Sequence, residues 1–309
     1  MALHVSDPLA SRLSLFTGKG GVGKSTVVAA LALEARRRGM RPLVIELGHR
    51  ASMQSIFGAG PIGHAPREVA PGVHASNIDL ERALADYVAA HVPSGALARR
   101  IARSPMLGRF LGAAPAVGEV LTLARIEALL REEERGAPRW HPLLVDLDAT
   151  GHALMFLELP RVFESLAGDA GPVRRLLDSF AALLADRAHT RLHVVTRPGK
   201  LPIQETLELC RRLEAEHAVP LGTLFVNHAP SAPAIDEALL EALRARVREP
   251  TAACDLALAQ RALADARALT RGLARLTALA LPTVRLPHIA EPIDTDALAT
   301  LGRAAGATA

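Results

Sequence analysis

Residues 12–30 read RLSLFTGKGGVGKSTVVAA, and this stretch decides the fold. Leu13, Leu15 and Phe16, with Ser14 between them, make a short apolar strand that runs into a glycine-rich loop and then a helix start. Gly18, Gly23, Lys24 and Ser25 satisfy G-x-x-x-x-G-K-[ST], in the strand–loop–helix setting that gives this pattern its meaning. The chemistry is anion capture. Gly18, Gly20, Gly21 and Gly23 let the backbone curl around Val22 so that successive N–H groups face inward, and the helix that follows adds the positive end of its dipole. Lys24 is placed to reach the β/γ-phosphates of a nucleotide, the Ser25 hydroxyl to ligate Mg²⁺, and Thr26 closes the loop.

Working outward, residues 25–38 carry Val27, Val28, Leu31 and Leu33 among alanines, a helix that stops at Gly39. Residues 42–47 form a second apolar run, short enough for a strand buried on both faces. This βαβ order predicts an α/β fold: a doubly wound, mostly parallel sheet flanked by helices, with ligands outside the carboxyl ends of the strands. Residues 58–77 are rich in Gly, Pro and His and read as loop, with a short edge strand at 73–78. From Asp79 the pattern turns helical, through Leu80, Leu84, Tyr87 and Val88, and it stays helical to Arg135 with breaks at Pro105 and Pro115. Roughly 55 residues between strands exceed an ordinary crossover. We therefore expect one P-loop domain over 1–309 with a helical subdomain inserted at about 79–138. Its apolar positions (Met106, Leu107, Phe110, Leu111, Val117, Val120, Leu121 and Leu123) read as packing ahead of a binding groove. Further strands are expected at 143–147, 192–196, 223–226 and 283–286, and helices at 172–186 and across 236–281 with a division near Pro250.

The strand at 143–147 ends in Asp146. A carboxylate at the tip of a buried strand in a phosphate-loop protein holds Mg²⁺, usually through water. Composition narrows the rest. The core must come from Ala, Leu and Val, because the chain has only seven Phe, one Trp and one Tyr. A net charge of +4 with dispersed arginines argues against nucleic acid as the main partner. Cys210 and Cys254 lie far apart, with no CxxC pair for zinc or iron–sulfur. Asp7 and Pro8 stand where a signal peptide needs an apolar run, and no window approaches the length of an integral membrane segment. The expected compartment is the cytoplasm.

The string Gly18–Thr26, with the additional Lys19 after the first glycine, resembles the deviant Walker A loop of the SIMIBI ATPases: ArsA-type anion-pump and tail-anchored-protein targeting ATPases, MinD/ParA proteins and nitrogenase iron protein. The resemblance implies that Lys19 reaches across a dimer to the partner's nucleotide. Downstream, Asp148-Ala149-Thr150-Gly151-His152-Ala153-Leu154 is similar to the ArsA-type switch II, D-T-A-P-T-G-H-T-L, an element that ParA and MinD proteins lack. Residues 196–206, TRPGKLPIQET, are similar to the family's T-x-P-x-x-L-x-x-x-E-T segment. By the same resemblance Asn227, at the tip of the 223–226 strand, contacts the adenine, and the loop with Pro287, His288 and Ile289 packs the base. The matches cover roughly residues 12–300, weakest over 55–140.

One departure bears on turnover. ArsA-type relatives commonly read E-V-D-G-R after the second strand, with the aspartate orienting the attacking water. Here the sequence is Glu46-Leu47-Gly48-His49-Arg50, and Gly48 holds the aspartate column. Three explanations compete: ATP is bound but hydrolysed very slowly, a related subunit supplies an intact site, or another carboxylate substitutes. Asp148 is the candidate for the third, since it lies two positions past Asp146 and shares its side if the strand persists. Glu46 reads rather as a supporting hydrogen-bond partner, His49 as a loop residue and His152 as a support for switch II. An arsenite site needs clustered thiolates, which two isolated cysteines do not make. The same count argues against a zinc-bridged dimer. The resemblance thus implies ATP and Mg²⁺ as cofactors, with a homodimer or a heterodimer with a related ATPase subunit. A protein client on the helical subdomain is open. The alternatives are a non-hydrolysing regulatory or scaffold subunit and a ParA/MinD-type positioning ATPase. The last calls for an amphipathic tail or basic surface that residues 299–309 do not offer.

Overall fold

A computed structural model describes residues 7–47, 51–92, 94, 96, 115–147, 153–154, 156–159, 172–216, 219–230, 236–245, 250–289 and 293–307. Within them the chain runs β1 (Leu13–Thr17), α1 (Lys24–Arg37), β2 (Leu43–Glu46), α2 (Ser52–Phe57), β3 (Arg67–Ala70), β4 (Val73–Asn77) and α3 (Leu80–His91). After these come α4 (Pro115–Arg131), the two-residue strands β5 (Glu133–Glu134) and β6 (Ala137–Pro138), β7 (Leu143–Asp146), α5 (Pro172–Ala185) and β8 (Thr190–Thr196). The rest is α6 (Lys200–Glu216), β9 (Leu221–Ala229), α7 (Glu237–Arg244), α8 (Pro250–Leu276), β10 (Thr283–Pro287) and α9 (Thr295–Gly306).

The described strands form an eight-stranded sheet in the order β10-β9-β8-β1-β7-β2-β4-β3, with β5 and β6 as a separate hairpin. Every pairing in the large sheet is parallel except β3 with β4. All residues of β1, β2 and β7 are buried, which is why they read as unbroken apolar runs: each faces helices on both sides. The edge strand β10 instead alternates exposed and buried positions.

Because strand side chains alternate between faces, the sheet feeds two cores. On one face Leu13, Leu15, Ile45, Val145 and Val194 pack with α4, α5, α6 and α8. On the other, Phe16, Val44, Leu144 and Phe225 pack with α1 and α9. Fully burying one such Leu, Ile or Phe stabilises by roughly 1.5–3 kcal/mol, so the strand core dominates the fold.

The α/β architecture is as expected, with two corrections. The strand at 73–77 is not an edge strand: it pairs with β2, and β3, inside the stretch read as loop, takes the edge. The C-terminal segment, in which no element was expected, is the helix α9. Asp294 caps it by accepting from the Ala297 N–H at 2.8 Å, and it lies so close to α1 that a Cβ on Gly302 would overlap the Ala30 carbonyl oxygen. Between β4 and β7 the described residues form α3, α4 and the β5–β6 hairpin. Asp79 caps α3 through the Arg82 N–H at 2.8 Å. Val120, Leu121 and Leu123 are buried in α4, as packing positions should be. Met106, Leu107, Phe110 and Leu111 lie outside the described residues.

Candidate nucleotide site

β1 sits where the chain's path across the sheet reverses, with β7 and β2 on one side and β8 and β9 on the other. The crevice at the carboxyl ends of strands flanking such a reversal is where open α/β sheets bind ligands. Register brings the chemistry together there: Asp146 lies beside Phe16 on β1 and beside Glu46 on β2.

The loop after β1 is held by its main chain. Gly18 has φ +148°, and a Cβ on it would overlap the Val195 carbonyl oxygen of β8. Gly21 and Gly23 have φ +81° and +87°, a left-handed conformation that costs other residues roughly 1–2 kcal/mol. Val22 turns its side chain into the α1 core and is 3% exposed, so what it offers a ligand is its main chain. Helix α1 starts on Gly23 with no side-chain cap and no acid in its first turn, and its first intrahelical bond runs from the Val27 N–H to the Gly23 carbonyl. The N–H groups of Lys24, Ser25 and Thr26 are therefore available to an anion.

Ser25 Oγ donates to Asp146 Oδ2 at 2.5 Å, across 121 residues of sequence, so the expected Mg²⁺ pair meets. Among the described residues no group of three or more His, Cys, Asp or Glu is placed to hold a metal alone. Mg²⁺ takes one or two protein oxygens and completes its shell with phosphate and water, and Ser25 and Asp146 offer two. The glycine cradle, the uncapped helix end and the Ser25–Asp146 pair together fit a Mg²⁺-bound nucleoside polyphosphate.

Glu46 is 4% exposed. Burial chiefly, helped by the neighbouring Asp146 charge, pushes its carboxyl up to about 6, and the hydrogen bond from the Met53 N–H works against this. That bond, 3.0 Å to Oε1, caps the start of α2 and ties the strand end to the segment that follows 48–50. Glu46 thus has the supporting role read from the sequence. Gly48, His49, Asp148, Thr150, Gly151 and His152 lie outside the described residues. β7 itself ends at Asp146.

Two contacts were not foreseen. Lys19 forms an ion pair with Glu205 of α6 in its own chain. The acid belongs to the T-x-P…E-T segment, so a signal existed but no role was read from it. Asn227, 4% exposed, donates through Nδ2 to the Val22 carbonyl at 2.9 Å and accepts through Oδ1 from the His228 N–H at 3.0 Å. Its amide therefore ties the tip of β9 to the phosphate loop. His228 in turn shares a hydrogen with His288, Nδ1 to Nδ1 at 2.8 Å. A Cβ on Gly23 would overlap the Asn227 amide nitrogen, and His228 links His288, in the loop with Pro287 and Ile289, to the same strand end.

Comparison with known proteins agrees with this geometry. The family model described as anion-transporting ATPase matches residues 11–181. The chain is 30% identical to the ATPase BagA of Mycobacterium tuberculosis, over 93% of this chain and 90% of that protein. It is 28% identical to the arsenical pump-driving ATPase of Escherichia coli and 29% to that of Acidiphilium multivorum, over 77% of this chain and 43% of each pump protein. The chain belongs to the ArsA-type family of anion-transporting ATPases.

Proposed function

We propose that this chain is an ATP-binding, Mg²⁺-dependent switch that works as a dimer in the cytoplasm and hydrolyses ATP slowly or only with a partner. The observation that supports it most is the Ser25–Asp146 contact beneath a glycine-built phosphate loop. Gly18, Gly20, Gly21 and Gly23 would cradle the phosphates with Lys24 and Thr26. Ser25 and Asp146 would hold Mg²⁺, whose chemistry when bound is to neutralise charge on the β- and γ-phosphates. Asn227, Pro287, His288 and Ile289 would border the base, and Thr150, Gly151 and His152 would sense the γ-phosphate.

Turnover is the less secure half of any such device, since phosphoryl transfer depends on placing the attacking water. Gly48 lacks the carboxylate for that, and Glu46 already caps α2. Lys19 reaching a second subunit requires release of Glu205, which gives the nucleotide-dependent pairing of two chains a defined bond to break. The pairing would be with a copy or with a related ATPase subunit, and the inserted helices at about 79–138 would carry the change to a protein client. A non-hydrolysing scaffold subunit is the second reading, favoured by Gly48 alone. A positioning ATPase with a membrane-seeking tail is disfavoured, because α9 spends its apolar face on α1. The exposed Cys254 and the buried Cys210 are both free thiols, the state a reducing compartment maintains.

ATP turnover by the isolated chain tests this reading. We expect slow turnover that Gly48→Asp or a related subunit raises at least about tenfold. A rate unchanged by Gly48→Asp and abolished by Asp148→Ala would overturn it and make Asp148 the working carboxylate.

A further inference from the structure

A second cavity lies away from the phosphate loop, between α3, α4 and α5, with a volume of about 360 Å³. That is the small end of the range for ligand cavities, roughly 300–1,000 Å³. Its lining is mixed: Ala83, Ala124, Ala128 and Leu176 supply apolar wall between polar and charged side chains. Its polar groups are unevenly used. Among the lining acids, Glu127 accepts from Arg131 at 2.5 Å and from Ser179. Asp86 is held by His64 at 2.9 Å and by Arg125 Nη1 at 3.6 Å. The acids are therefore answered inside the protein.

The donors are not. The Tyr87 hydroxyl and the Arg125 Nε–H are both buried without a hydrogen-bond partner. Arg125 keeps only 12% of its side chain exposed. Arg175 lines the same cavity, close enough to Tyr87 to act on its hydroxyl electrostatically, and among the described residues no ion pair holds it. A buried donor left unmade costs about 1–3 kcal/mol, and these two buried donors, with the exposed Arg175 lining the same space, suit an acceptor with several lone pairs. A carboxylate or phosphate meets that need, and the alanine and leucine walls require apolar substance behind it.

We propose that this cavity binds a small organic anion, a carboxylate or phosphate group on a short aliphatic body, with Arg175, Arg125 and Tyr87 holding the charged end. The site is independent of the nucleotide reading, since none of its residues belongs to the phosphate loop.

The test is calorimetric titration of the full chain with hexanoate and hexyl phosphate, and with inorganic phosphate as the headgroup alone. Because the phosphate loop is itself an anion site, each titration is repeated in Lys24→Ala. We expect hexanoate or hexyl phosphate to bind, inorganic phosphate to bind at least about tenfold more weakly, and Lys24→Ala to leave the organic anion's affinity unchanged. Arg175→Gln should weaken it at least about tenfold without altering thermal unfolding, because Arg175 is on the surface; Tyr87→Phe should weaken it about three- to tenfold without lowering the unfolding temperature, because the Tyr87 hydroxyl bonds nothing in the protein. The preferred headgroup separates a carboxylate from a phosphate ligand. Affinity lost in Lys24→Ala, affinity indifferent to both Arg175→Gln and Tyr87→Phe, or no binding of any probe at millimolar concentration would each overturn the proposal.

Discussion

The phosphate loop and the α3–α4–α5 cavity are both anion sites by construction, and they are built from different materials. At the loop the donors are main-chain N–H groups, on a path that Gly18, Gly21 and Gly23 hold at positive φ. At the cavity they are side-chain tips, Tyr87, Arg125 and Arg175, from three helices far apart in sequence. Main-chain recognition demands a defined backbone path and so leaves a compact pattern of residues. Side-chain recognition demands only that three tips converge, and many sequences can arrange that. The first site should be brittle to substitution and the second forgiving.

Gly18→Ala is the harshest way to test that contrast. It strains a φ of +148° and forces overlap with Val195, so we expect a loss of about 2–4 kcal/mol in urea unfolding and no measurable nucleotide binding. Trp140, the chain's one tryptophan and 1% exposed, reports the transition by fluorescence. In the same assay Arg175→Gln should stay within about 0.5 kcal/mol of the parent.

Asn227→Ala is the next largest. It removes the donor to the Val22 carbonyl and should cost about 1–3 kcal/mol in stability and about tenfold in Mg²⁺–ATP affinity. A variant with parental affinity would show that the tether is structural only.

The pH response of the core is intermediate. His193 is fully buried, its ring stacked on Phe16 at 5.0 Å, with Nδ1 accepting the Thr223 N–H. Burial above all drops its imidazole to about 3. The unfolded chain takes up this proton near 6.5 and the folded one does not, so stability is full above about 6.5 and falls as pH drops toward 3. Glu46 runs the other way: held near 6 when folded against 4.5 unfolded, it withdraws stability as pH rises from 4.5 to 6. His193→Leu should flatten the acid-side loss while lowering stability at pH 7, where the Thr223 N–H loses its acceptor. Unfolding midpoints across pH 4–8 check both signs.

Glu205→Gln should have the smallest effect. Lys19 and Glu205 are 48% and 32% exposed, and pairs of this kind contribute under about 1 kcal/mol. Thermal unfolding should barely move, while ATP-dependent dimerisation, measured by light scattering, should rise if Lys19 must be released to cross the interface.

What was legible in the sequence follows the same division. Gly18 to Ser25 disclosed the phosphate loop because a backbone path restricts residue identity at each position. β1, β2 and β7 were legible because burial on both faces demands unbroken apolar runs. β3 was missed, since an edge strand with two exposed positions in four needs no such run. α9 was missed although Leu298, Leu301 and Ala305, buried at i, i+3 and i+7, carry a helical period; its close approach to α1 rests on Gly302, and Asp294 as a cap was a further signal available. Asn227 was noticed at its strand tip, but its bond to Val22 joins residues 205 positions apart, which one-dimensional spacing does not report. Tyr87 was read as one position in a helical period, with nothing to link it to Arg175.

Residues 18–26 with Asp146 are proposed to form a working Mg²⁺–ATP site. Calorimetric titration of the purified chain with ATP, with and without Mg²⁺, tests it directly when repeated in Lys24→Ala and Asp146→Asn. The account predicts micromolar binding that weakens at least about a hundredfold in Lys24→Ala, and a Mg²⁺ enhancement that disappears in Asp146→Asn. ATP binding that is absent from the parent chain, or that survives unchanged in Lys24→Ala, would contradict it.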